Sequence, residues 1–148
     1  MKITALLYGA LGLTPFIAFG ILLPLWPSIW QHEIVHTFNS YSAMILAFLS
    51  GSIWGMTISC ERLSKFNICL SIGIIFSLMA VMALLIPMPY STYLLAISFT
   101  VLFGIEAKFM LPKIYPLWYT KMRALLTSVV IFCHLFLLYW LNDPTLFG

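Results

Sequence analysis

The sequence predicts an all-α integral membrane protein with five transmembrane helices. Apolar residues make up 63% of the 148-residue chain, against roughly 45–50% in soluble globular proteins. Charged residues make up only 7%, against roughly 25% in soluble proteins. A soluble domain of this length has too little interior to hide so much apolar surface. We therefore expect a single transmembrane domain over residues 1–148, surrounded by membrane lipid.

Five apolar segments are each close to the roughly 20 residues that a helix needs to cross the hydrocarbon core. They cover about residues 4–24, 40–59, 66–86, 91–110 and 124–141. Prolines mark their ends, because an interior proline removes a backbone donor and clashes with the preceding turn. These prolines are Pro24, Pro27, Pro87, Pro89, Pro112 and Pro116. Pro15 lies inside the first segment, where we expect a kink.

The basic residues predict the orientation. With five spans that alternate in direction, all seven fall on one side of the membrane: Lys2, Arg62, Lys65, Lys108, Lys113, Lys121 and Arg123. Because basic connections are retained in the cytoplasm, we expect a cytoplasmic N-terminus and a periplasmic C-terminus. The basic residues do not form the dense stripe that follows a phosphate backbone, so nucleic acid is not an expected partner.

The first outer connection, residues 24–39, is expected to contain a short amphipathic helix that lies on the membrane surface and begins near Ser28. On such a helix, one broad arc is apolar and is formed by Trp30, Ile34, Val35 and Phe38. The opposite arc is polar and is formed by His32, Glu33 and His36.

These polar residues match the pattern H-E-x-x-H, in which two histidines one helical turn apart can share a zinc ion. Asp143, on the outer side after the fifth span, can complete a tetrahedral site with His32, Glu33 and His36. Three interpretations stay open: an ordinary polar helix face, a structural or regulatory Zn²⁺ site, and a zinc peptidase. The peptidase would use Glu33 as its general base, but it also needs a substrate cleft for which the chain has little mass outside the membrane.

A small residue occupies every fourth position along the second span, at Ala43, Ala47, Gly51, Gly55 and Ser59. Small residues let two helix backbones approach closely. The pattern therefore indicates helix packing, either within the subunit, which we favour, or across a homodimer seam.

Two ionisable residues lie within the spans. His134 is near the middle of the fifth span, and we expect a neutral imidazole hydrogen-bonded to a neighbouring helix, with proton relay as the alternative. Glu106 is near the cytoplasmic end of the fourth span, where an interfacial ion pair with Lys108, Lys121 or Arg123 is expected.

Three segments carry a family resemblance. They are Leu11–Phe16, Tyr41–Gly51 with Trp54-Gly55, and Pro116–Tyr119 with Arg123 and Leu126-Thr127. In these segments the chain resembles the small inner-membrane family catalogued as domain of unknown function 3429, to which mitochondrial transmembrane protein sixty-nine is similar. The resemblance implies a bacterial inner-membrane protein without established enzymatic activity, acting in the envelope barrier or in membrane energisation.

We therefore expect a non-enzymatic homodimer that supports envelope integrity or the transmembrane gradient, with no catalytic residues and with a zinc site at its outer face. A small ion- or proton-coupled transporter that uses His134 and Glu106 is the first alternative. The zinc peptidase is the second.

Overall fold

Five long helices form the structure, a computed structural model that describes residues 2–59, 66–109 and 115–142. The helices are α1 (Lys2–Phe16), α2 (Ser28–Ser59), α3 (Phe66–Leu85), α4 (Tyr90–Phe109) and α5 (Leu117–Leu141). By length and composition, five helical segments can cross a membrane, one in each of these regions. The predicted all-α fold class is therefore confirmed.

The first helix changes its geometry after Pro15. The α-helical part ends at Phe16, and a π-helical turn follows over Ile17–Ile21, where the Leu22 amide donates to the Ile17 carbonyl at 3.2 Å. A short 3₁₀ turn over Leu23–Leu25 then leads to α2. The wider π turn directly follows the proline, which is the region where a kink was expected.

The second helix is one continuous element of 32 residues, about 48 Å long at 1.5 Å per residue. The predicted surface helix is therefore not separate, because no proline or glycine interrupts residues 28–50. Its first turns continue into the span. Of the predicted apolar arc, Ile34, Val35 and Phe38 are buried within the bundle, whereas Trp30 is 58% exposed on its surface.

The fifth helix begins at Leu117, seven residues before the predicted start of the fifth span. Pro116 precedes it in an extended conformation (φ −67°, ψ 152°), and proline fits this position because it has no amide to leave unpaired. Lys121 and Arg123 consequently lie inside the helix. The apolar run alone could not mark this start, since Thr120, Lys121 and Arg123 interrupt the first two turns of α5.

Contacts at both ends show that α4 and α5 run antiparallel, through Glu106 with Arg123 and Tyr93 with Asn142. Gly73 of α3 allows close packing against α2, since a Cβ atom there would lie 3.0 Å from the Ser50 carbonyl oxygen and 3.1 Å from the Trp54 Cβ. Gly20 of the π turn has the same role against Phe38, at 2.9 Å. We name the two ends of the bundle by their residues: the basic end holds Lys108, Lys121 and Arg123, and the histidine end holds His32 and His36.

Candidate functional site

A buried ion pair joins α4 and α5 near the basic end. The Arg123 Nε atom donates to Glu106 Oε2 at 2.9 Å, and Arg123 Nη1 donates to the Thr127 hydroxyl at 3.0 Å. Glu106 and Arg123 are only 3% and 6% exposed. Of the three partners that the sequence allows for Glu106, the structure selects Arg123. The pair is buried within the bundle, where each charge compensates the other.

His134 lies near the centre of the bundle and is fully buried. Its Nδ1 atom is 2.8 Å from the Val130 carbonyl oxygen, one turn earlier on the same helix. The expected bond to a neighbouring helix is therefore wrong, because the neighbouring positions are occupied by aromatic rings. Since a carbonyl only accepts, Nδ1 carries the proton and Nε2 is the acceptor of the neutral ring. Nε2 has no hydrogen-bond partner among the described residues.

Three phenylalanines from three helices surround the His134 imidazole. The ring centroids of Phe38, Phe99 and Phe16 lie 4.8, 5.5 and 6.0 Å from the imidazole centroid. All three side chains are at most 2% exposed. We call these three phenylalanines the aromatic layer. Sequence analysis named Phe38 on an apolar arc but did not predict the layer, because phenylalanine also occurs on the lipid-facing surface, as at Phe48 and Phe132.

A second polar contact lies towards the histidine end. The Thr92 hydroxyl donates to Asn39 Oδ1 at 3.0 Å, and both residues are buried, while Asn39 Nδ2 has no described partner. Along α4, Phe99 is seven residues from Thr92 and seven from Glu106, which is about 10 Å each way. The aromatic layer thus separates two polar contacts, and this seven-residue spacing is a signal that sequence analysis could have used.

The H-E-x-x-H residues lie on the first turns of α2 at the histidine end, and all three are exposed. His32 and His36 line a cavity of about 360 Å³ together with Asn39, Ser40, Ser91 and residues 83–88. Glu33 does not line this cavity, and Asp143 lies outside the described residues. Within the described ranges, no three His, Cys, Asp or Glu side chains are grouped to hold a metal ion.

The small-residue stripe of α2 turns mostly away from the subunit interior. Ala43 is buried and Ala47 half-buried, whereas Gly51, Gly55 and Ser59 are exposed. A Cβ atom at Gly51 or Gly55 would meet no atom within 4 Å. Packing within the subunit, which the sequence favoured, therefore applies only to the first two residues of the stripe. The homodimer seam stays a prediction.

Removing one charge of the buried pair should destabilise the bundle more than removing both. We expect Glu106→Leu or Arg123→Leu to lower the free energy of unfolding by about 3–5 kcal/mol, because the remaining charge stays buried and unpaired. The double variant should lose less than either single variant. Unfolding in detergent micelles measures this, with the exposed Lys121→Leu as the control. Losses that simply add in the double variant would contradict the coupling of the two residues.

The sequence pattern of one family, described as protein of unknown function (DUF3429), matches residues 1–139. The match includes every helix of the bundle except the last two residues of α5. Neither a curated protein nor a solved structure matches the chain.

Proposed function

The chain belongs to this family of unknown function, and on that premise we propose that it is a non-enzymatic protein of the bacterial inner membrane that supports the permeability barrier or the transmembrane gradient. The N-terminus lies in the cytoplasm in this proposal, because the predicted connections with basic residues are all on one side. The basic end is then the cytoplasmic end.

The observation that carries this proposal is the aromatic layer. Phe16, Phe38 and Phe99 lie between the Glu106–Arg123 pair and the Asn39–Thr92 contact, each of which is polar and buried. Tightly packed rings leave little room for water. A bundle closed in this way keeps its own polar interior from becoming a path for ions, which is the property that a barrier protein needs.

Removing a ring from the aromatic layer should impair the proposed barrier function. In the host cell, we expect loss of the protein to lower the membrane potential or raise the uptake of a normally excluded dye. Wild type and Phe132→Ala, whose side chain is 57% exposed, should restore the barrier, and Phe99→Ala should not. Equal protein levels must be confirmed, since a buried Phe→Ala change costs about 3–5 kcal/mol. Unchanged potential and permeability in the deletion strain would overturn the proposal.

His134 favours a second candidate, a small proton-coupled transporter. Its Nε2 atom is a buried acceptor without a described partner, at the depth where the aromatic layer separates the two polar contacts. Ionisable residues inside a membrane are functional candidates because burying them is costly. In this candidate function, Nε2 takes up a proton and releases it after a rearrangement of the layer, and Glu106 belongs to the path on the basic side.

Proton flux distinguishes the second candidate from the first. If the protein is such a transporter, an imposed membrane potential should change the pH inside proteoliposomes, as reported by an enclosed pH-sensitive dye. His134→Gln should abolish this flux because an amide does not titrate, while Cys133→Ala, at the neighbouring buried position, should retain it. Absence of flux from the wild-type protein, or flux that survives in His134→Gln, would exclude proton transfer through this side chain.

A Zn²⁺ site at the histidine end is a further part of the proposal. It is supported by His32 and His36, which are one turn apart and line the same cavity. The peptidase hypothesis gains less support, because its general base would be Glu33, whose side chain does not line that cavity. Asp143 remains in the proposed ligand set on sequence grounds.

The zinc content of purified protein tests this site. We expect about one zinc ion per chain in the wild type and its loss in His32→Ala/His36→Ala, because a tetrahedral site does not survive the loss of two ligands. Thr37→Ala, at an exposed position on the same turns of α2, should keep the metal. Equal zinc content in the wild type and the double histidine variant would show that these histidines do not bind it.

A further inference from the structure

A second cavity, separate from the one at the histidine end, lies between α1, α2 and α5. Its volume is about 330 Å³, and most of its wall is apolar. Tyr8 and Phe48, which line it, are each 70% exposed, so it is a cleft that opens onto the lipid-facing surface.

The cleft has the depth of one leaflet. Along α1 it extends from Tyr8 to Phe16, which is eight residues or about 12 Å. Half of a hydrocarbon core of roughly 30 Å is about 15 Å. Phe16 belongs to the aromatic layer at the centre of the bundle, and Tyr8 lies towards the basic end, near the start of α1. An acyl chain from the leaflet at the basic end therefore fits along the cleft.

The polar groups of the cleft lie at its basic end. Arg123 lines it, and its hydrogen bonds to Glu106 and Thr127 use two of the five N–H donors of a guanidinium. Lys108 and Lys121 lie at the same end of the bundle and are exposed. Among the side chains that the structure describes at this end, Lys108, Lys121 and Arg123 against Glu106 leave a formal net charge of +2. This charge complements an anionic head group.

We propose that this cleft binds one phospholipid with an anionic head group from the leaflet at the basic end. One acyl chain lies between α1, α2 and α5, and the phosphate is held at the Arg123 end of the cleft. Basic pockets between transmembrane helices recognise anionic lipid head groups by the same combination of a charged mouth and an apolar interior. The lipid site does not depend on the proposed barrier function or on His134.

Gly12 provides a variant that fills the cleft. A Cβ atom at Gly12 would meet no atom within 4 Å, so a leucine can enter the cleft from this position. Gly104 of α4 has the same open surroundings, is exposed, and does not line the cleft. Gly12→Leu and Gly104→Leu are therefore a matched pair, with the same added side chain inside and outside the proposed site.

Native mass spectrometry of protein released from vesicles with equal phosphatidylglycerol and phosphatidylcholine tests the proposal. We expect wild type and Gly104→Leu to retain one lipid, with an about fivefold preference for phosphatidylglycerol, which corresponds to about 1 kcal/mol. Gly12→Leu should lose both the bound lipid and the preference. Equal retention of the two lipids by the wild type, or unchanged retention by Gly12→Leu, would overturn the proposal.

If Gly12→Leu shows no cooperative unfolding transition and therefore does not fold, a second variant tests the proposed lipid site. Lys108→Gln/Lys121→Gln removes two exposed charges at the basic end and leaves the cleft open. We expect this variant to retain a lipid but with a reduced preference for phosphatidylglycerol, and this result supports the site. An unchanged preference would show that the charge at this end does not select the lipid, and would overturn the proposal.

Discussion

Lipid offers no hydrogen-bond partner to a buried charge, and this constraint governs how α4 and α5 meet. Glu106 and Arg123 can both be buried only because their side chains contact each other, at 2.9 Å, with Thr127 taking a further guanidinium donor. At the other end of the same two helices, Asn142 Nδ2 donates to the Tyr93 hydroxyl at 2.7 Å. Two polar contacts, far apart along the helices, therefore fix the register of α5 against α4. Arg123 and Thr127 also form part of the wall of the lipid-facing cleft, so the contacts that hold the ion pair also position this part of the cleft wall.

Most small polar side chains satisfy the same constraint without a partner helix. The hydroxyls of Ser42, Ser50 and Thr57 donate to the carbonyl four residues earlier on α2, at 2.7 to 2.8 Å. Exposed side chains such as Ser59 and Ser128 form the same type of bond. Because the bond is local, a serine or threonine is tolerated on either face of a helix. Its presence in the sequence therefore does not indicate which face is buried.

This locality explains what the sequence could predict. Composition and segment length were sufficient to predict five spans, because a span needs only enough apolar residues to cross the lipid. The charge of Glu106 was sufficient to predict a basic partner near the same end. Which face of each helix is buried was not predictable, since a lipid-facing surface is as apolar as the core.

The second span illustrates this ambiguity. Leu46 is fully buried and Phe48 is 70% exposed, although both are strongly apolar. Because buried and lipid-facing positions are equally apolar, the sequence did not predict the aromatic layer. For the same reason it assigned Gly51 and Gly55 to a packing face, although both are exposed in the subunit. The start of α5 was missed because a span defined by apolar residues does not extend through Thr120, Lys121 and Arg123, which lie in the first two turns.

The geometry of His134 constrains what the bundle can do with a proton. A relay takes up a proton on one ring nitrogen and releases it from the other, but the Val130 carbonyl holds Nδ1 of His134 within its own helix. In this arrangement a proton can enter and leave only through Nε2, on a single side of the ring. Transfer across the layer then requires the imidazole to rotate, and Phe38, with its centroid 4.8 Å away, must move with it. In the proposed barrier function, the layer at rest is closed to protons as well as to ions, because the titratable group inside it has one open nitrogen. This is why a barrier is the leading proposal, and why a transporter built on His134 would have to alternate between two arrangements of its aromatic rings.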